Sequence, residues 1–172
     1  MMTHAALVGL LCSFLLAAQP ANKCAEAQAL IAKSFATHAR IRAGHTPCIL
    51  KGDFDRDGVE DFAALVVLLS DHAALPADVK LANPWSSQAS RLPGKKDLAI
   101  AVVFGKSGAK YLIGDKETLS TPIWRNAAAK DLILLVRKSN PPKIGVATEA
   151  GIDVLLQWNG KQFRLEIPKE EP

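Results

Sequence analysis

The sequence predicts an α+β domain in which one N-terminal helix packs on a mainly antiparallel sheet of about seven strands. Three observations predict it. Residues 25 to 38 place Ala27, Leu30, Ile31, Ser34, Phe35 and His38 at three-and-four spacing, the period of an amphipathic helix. Later runs such as "FAALVVLL", "DLAIAVVF" and "IDVLLQW" are apolar stretches of strand length closed by turn residues or charge. They follow one another mostly in hairpin order, which makes the pairing antiparallel.

The chain opens "MMTHAALVGLLCSFLLAAQPANKC", whose residues 5 to 18 are almost wholly apolar. Small residues follow at Ala17, Ala18 and Ala21. This has the outline of a secretory signal over residues 1–21, removed after Ala18 or Ala21, although its n-region has His4 and no Lys or Arg. The run is shorter than the roughly 20 residues a spanning helix needs, so no membrane association is expected after cleavage. Cys12 follows Leu10 and Leu11, which is not a lipidation setting. Export places the protein in the periplasm or outside the cell.

Residues 22–172 leave about 150 residues, enough for one domain with a core and too few for two ordinary ones. All 21 basic and 17 acidic residues lie beyond the signal, so the net +4 belongs to this domain. Because five acids crowd into residues 53 to 61, the remaining surface is more basic than the net figure states. Arg91, Lys95 and Lys96, then Lys106, Lys110 and Lys116, are its densest stretches. The expected partner is an unknown protein or an anionic component of the envelope. Nucleic acid is not expected, since the chain has a single Tyr and no basic-aromatic interleaving.

Cys24 and Cys48 are the thiols left after cleavage, and an oxidising compartment favours their pairing. The alternative is two buried, unpaired cysteines. Pairing limits the helix: an unbroken helix over residues 24 to 43 would separate its ends by about 28 Å, whereas Ala43 to Cys48 reaches about 17 Å. A helix ending near residue 38, with "ARIRAGHTPC" returning extended, allows the bridge. His38 on the helix face reads as a hydrogen-bonded packing residue.

After "FAALVVLL", residues 71 to 95 contain Pro76, Pro84 and Pro93 and read as an irregular insertion with at most a short helix around Asp78 to Leu81. "DLAIAVVF", "YLIG", "DLILLVRK" and "KIGVATE" continue the strands. "IDVLLQW" and "KQFRLEI" form a final hairpin around Asn159-Gly160, a pair suited to a two-residue type I′ turn. A charged residue, an Asp and a strand recur from Glu60, Lys96 and Lys130, at spacings of 36 and 34. Three copies are too few to close a propeller, so the recurrence is read as ordinary sheet patterning.

The chemistry concentrates in "KGDFDRDGVEDF", residues 51 to 62, where Asp53, Asp55, Asp57 and Asp61 fall within nine positions. Numbered from Asp53 they occupy positions 1, 3, 5 and 9, with Gly58 at 6. Ca²⁺ takes about six to eight oxygens, and a loop wound around it presents alternate side chains while glycine permits the sharp turn. The Val59 carbonyl, at position 7, supplies a further oxygen. Ala64 stands where an EF-hand requires its bidentate Glu, so the loop is not an EF-hand. The bland alternative is an aspartate-rich exposed turn without an ion.

"GDFDRDGVEDFAALV" resembles the calcium hairpin of FG-GAP and VCBS-type repeats, in which a D-x-D-x-D-G-x-x-D loop joins two strands. The resemblance implies side-chain ligands at Asp53, Asp55, Asp57 and Asp61 and a backbone ligand at Val59. It covers about 15 residues in a single copy, where adhesive propellers carry several. Elsewhere the chain resembles small exported bacterial proteins of unassigned function.

Two enzyme readings compete. "DRDGV" also resembles the first motif of haloacid dehalogenase-like phosphatases, with Asp55 as nucleophile, Asp57 as acid/base, "IGDKE" as a late magnesium motif and Lys106 as the phosphate lysine. That family needs its motif after a buried parallel strand, whereas here the strong strand follows the motif. "GKS" at 105 to 107 lacks the first glycine of a phosphate loop, Ile100 standing there. His38, His45 and His72 lack ligand spacing, and Trp85, Trp124 and Trp158 read as packing residues before groove residues. The expectation is an exported calcium-binding structural or interaction module with no evident catalytic site.

Overall fold

A computed structural model describes residues 20–126, 129, 131–148 and 151–167. Residues 1–19 of the expected signal lie outside them. Helix α1 spans Pro20–Phe35, and the strands are β1 (Ala39–Ile41), β2 (Leu50–Gly52), β3 (Asp61–Leu68), β4 (Val79–Ala82), β5 (Leu98–Val103), β6 (Lys110–Ile113), β7 (Ile133–Val136), β8 (Lys143–Thr148), β9 (Gly151–Trp158) and β10 (Phe163–Glu166). A one-turn helix α2 (Pro122–Arg125) lies between β6 and β7. Among the described residues no helix is long and apolar enough to cross a membrane.

The architecture is α+β, but the described residues hold ten strands in two sheets, not seven in one. The first sheet runs β1-β3-β5-β6-β4, with β2 also on β3; the second is the meander β10-β9-β8-β7. Beyond the seven expected runs stand β1, β2 and β4, each only three or four residues long. Such pieces have too few residues to display a period, and their pairing partners define them. β4 replaces the short helix expected around Asp78 to Leu81: Val79, Leu81 and Ala82 pair in parallel with β6 at Lys110, Leu112 and Ile113.

Three layers result. Ala27, Ile31 and Phe35 of α1 are fully buried, and Ile31 and Phe35 share one core cluster with Ala64, Val66 and Leu68 of β3 and Ala99 and Ala101 of β5. Burial of Ile31 and of Phe35 is worth about 2 kcal/mol each. On the other face Leu65, Ile100 and Ile113 meet Ile133, Ile144 and Leu156 of the second sheet. The first sheet is therefore covered on both sides, which is why β3 and β5 read as continuous apolar runs without alternation. β3 and β5 are adjacent antiparallel partners while β7 is in the other sheet, so the recurring Asp-strand pattern does not mark equivalent repeats.

The helix stops at Phe35, three residues before the expected end, and Ala36 turns the chain at φ 51°. β1 then returns extended, and Cys24 and Cys48 form the expected disulfide with a Cα–Cα distance of 5.3 Å. The bridge ties the first turns of α1 to the approach to β2. At the last hairpin the turn is displaced by one residue from expectation. The Asn159 N–H bonds the Gln162 carbonyl at 3.2 Å, so Gly160 and Lys161 are the central pair. The Asn159 side chain caps the turn, accepting the N–H groups of Lys161 and Gln162 at 3.0 and 2.9 Å.

Candidate metal centre

The aspartate loop closes the β2–β3 hairpin. Gly52 pairs with Asp61, Lys51 with Phe62 and Leu50 with Ala63, so residues 53 to 60 bulge out beyond the last rung. Phe54, 2% exposed, turns the other way from its neighbours and enters the main core, anchoring the loop between Asp53 and Asp55. Arg56 at φ 65° and Gly58 at φ 84° fold the chain back. A Cβ at Gly58 would meet nothing within 4 Å, so the glycine answers a conformational need and not a steric one.

Carboxylates organise this turn from within. Asp53 accepts the N–H groups of Asp57 and Gly58, both at 3.0 Å. Asp55 accepts Asp57 N–H at 3.1 Å, and Asp57 accepts Val59 N–H at 2.8 Å. Asp61 is fully buried and bridges two segments, taking Phe54 N–H at 2.6 Å and Gly105 N–H at 2.8 Å. Oxygens of Asp53, Asp55 and Asp61 lie within 4.8 Å of one another. Asp57 is outside that trio, and Val59 is a half-exposed residue at the loop exit.

The donor set suits a hard divalent cation. Every side chain offered is a carboxylate, and each oxygen that accepts one N–H retains a further lone pair for an ion. Electrostatics without an ion are unfavourable. Burial, with added repulsion from Asp57 and Asp53, pushes the Asp55 carboxyl up despite the Asp57 N–H. Burial likewise pushes Asp61 up, against the opposing N–H groups of Gly105 and Phe54. Both directions express the cost of keeping several negative charges together away from water.

Gly105, weighed from sequence only as part of a phosphate loop, has a different role here. Its N–H holds Asp61, and a Cβ there would lie 2.3 Å from the Glu60 carbonyl oxygen and 2.9 Å from Val59 Cγ1. The glycine of "GKS" is thus required by close approach of two backbones. An isolated Gly directly after a strand is the only signal the sequence offers for it.

The remaining candidates fall elsewhere. Lys106 does reach the loop, its Nζ 3.5 Å from the Asp57 carbonyl. Asp115 of "IGDKE" is outside the carboxylate trio; it is buried and paired with Arg91 at 2.6 Å, and it also accepts from Asn83 and Thr118. Burial would raise its pKa, but these bonds prevail and hold it well below the usual range. The strand before the loop is a three-residue antiparallel piece, and β4–β6 is the only parallel pairing among the described residues, so the setting a phosphatase motif needs is not found there. His38 bonds Ser70 Oγ at 3.0 Å, and buried His45 accepts Ile133 N–H at 3.2 Å through Nε2. Trp124 is buried, Trp85 packs on the core, and Trp158 joins Phe104, Tyr111 and Phe163 in an aromatic cluster between the two sheets.

Comparison with protein-family models, with curated proteins and with solved structures finds no match to this chain.

Proposed function

We propose that this is an exported protein whose Asp53–Asp61 loop takes up Ca²⁺ as a structural clasp on a binding or interaction module. The observation that carries the reading is the convergence of Asp53, Asp55 and Asp61 within 4.8 Å at the tip of a hairpin, one of them fully buried. The Cys24–Cys48 bridge is compatible with export. The ion would supply the positive charge that three crowded carboxylates require. Asp57 and the Val59 carbonyl would complete the oxygen shell, as the resemblance to FG-GAP and VCBS-type hairpins implies.

Thermal melting across a calcium titration tests this. At a hundredfold excess over its Kd a folded-state ligand adds about 2.7 kcal/mol, so Tm should climb with calcium concentration. Asp55→Asn should abolish that increment and cost little in chelator, where it removes a repelling charge. An Asp55→Asn variant that keeps the full calcium increment, or a wild-type Tm indifferent to calcium, would count against the clasp. Magnesium-dependent hydrolysis of a phosphate ester, lost in the same variant, would favour the phosphatase reading instead.

A further inference from the structure

A second concentration of charge lies at the other end of β3, where a cleft of about 440 Å³ opens beside Val67. Arg40, Arg42, Lys96, Lys116 and Arg125 line it, and Asp97 is the single carboxylate among them. Asp97 is already engaged by Gly94 N–H at 2.8 Å. Among the described residues Arg40, Lys96, Lys116 and Arg125 have no side-chain ion pair or hydrogen bond. Several basic side chains elsewhere do, as in Lys110 with Asp78 or Lys143 with Glu166.

Two features separate this cleft from a solvated basic face. The first is Arg42, only 7% exposed, whose guanidinium donates to the carbonyls of Trp124, Asn126 and Ala129 at 3.2, 2.5 and 3.3 Å. Its buried charge is held by neutral dipoles, and burial lowers its pKa. The second is Lys96, which adopts φ 73° at the third position of a turn closed by Asp97 N–H to the Gly94 carbonyl at 3.0 Å. Glycine or asparagine suits that position without strain, yet a lysine occupies it at the rim of the cleft.

We propose that this cleft binds a phosphate-bearing ligand of at least two negative charges, presented by a free phosphorylated molecule or by an anionic phospholipid headgroup. A compact multivalent anion neutralises several of the converging cations together, which a single carboxylate does not. The guanidinium groups of Arg40 and Arg125 match phosphate oxygens in pairs. The volume is that of a small-molecule site. This names the chemistry of a partner left open above and does not depend on calcium in the aspartate loop.

Calorimetric titration with pyrophosphate in EDTA tests it apart from the loop, whose own failure is read in the calcium melt. Saturable binding is expected, weakening about tenfold or more between about 25 and 250 mM salt. Lys96→Gly should weaken it at least about fivefold while Tm holds, because glycine accepts the positive φ. Arg125→Ala, at an exposed site, should weaken it similarly. Lys95→Ala, in the same turn but outside the cleft, should leave it unchanged. Phosphatidylcholine vesicles with cardiolipin, whose headgroup carries two phosphates, supply the second arm: binding that requires the anionic lipid and is competed by pyrophosphate assigns the headgroup, and no vesicle binding assigns a soluble ligand. Absence of pyrophosphate binding, or binding that Lys96→Gly and Arg125→Ala leave intact, overturns the proposal.

Discussion

The two ends of β3 carry opposite charge by opposite means. At Asp61, where the strand begins, negative groups come from one nine-residue loop and bond the loop's own N–H groups. Near Val67, about 20 Å along the strand at about 3.3 Å per residue, positive groups arrive from four separated segments and mostly bond nothing. The acidic end is built locally and held in shape by the backbone. The basic end is assembled by the fold and, at Arg42, held by carbonyl groups from across the molecule. Local charge can be organised by a turn; dispersed charge of one sign needs a scaffold rigid enough to bear the repulsion.

The comparison breaks most readily at the acidic end. Gly105→Ala sets a Cβ against the Glu60 carbonyl, and displacing that backbone also strains the bond to buried Asp61. A loss of about 3 kcal/mol or more is expected from overpacking together with a weakened charged hydrogen bond, measured by urea denaturation. A loss below about 1 kcal/mol would show that the two segments separate easily and that the loop is not braced from outside.

A smaller effect comes from buried His45, which feels the charge of Arg42 at the basic end, and appears as pH is lowered. Burial, with repulsion from Arg42, lowers the pKa of His45 below its ordinary 6.5, overriding the Pro47 carbonyl and Asp131, which favour the charged ring. The folded state therefore prefers the neutral ring, whose Nε2 accepts Ile133 N–H. Its contribution is complete above pH 6.5 and is lost as pH falls through the lowered folded value. His45→Gln should flatten the fall in stability below pH 6.5. The same slope in both proteins would remove His45 from this role. Asp115 adds a separate loss only below its ordinary 3.8, since its folded pKa is depressed.

The smallest effect tests whether exposed pairing matters to the loop. Lys51 lies 3.5 Å from Glu26 and 3.6 Å from Glu60 with all three side chains well exposed. Lys51→Ala should change stability by less than about 0.5 kcal/mol in the same denaturation assay. A larger change would mean that the hairpin depends on surface charge as well as on its internal hydrogen bonds.

Legibility follows the range of the interactions. The α1 face at Ala27, Ile31 and Phe35 and the pairing of Cys24 with Cys48 were readable because helical period and the reach of the chain constrain them locally. β3 and β5 were readable as strands, but not as the middle of a covered sheet. β4 was misread because "VKLA" acquires its identity from β6, about thirty residues later in the chain. Lys96 and Lys116 stood out as basic stretches, while Arg40, Arg42 and Arg125 did not. No spacing in the chain brings them together.

By itself the sequence determined the amphipathic helix, the buried strands, the disulfide and a loop whose aspartates alternate around a glycine, since each depends on neighbours along the chain. Only the tertiary structure decided that the strands divide into two sheets, that Gly105 braces Asp61, and that five cations share one cleft. The physical reason is that hydrogen-bond rungs and close approaches join residues far apart in sequence, and no local period records which distant segment completes them.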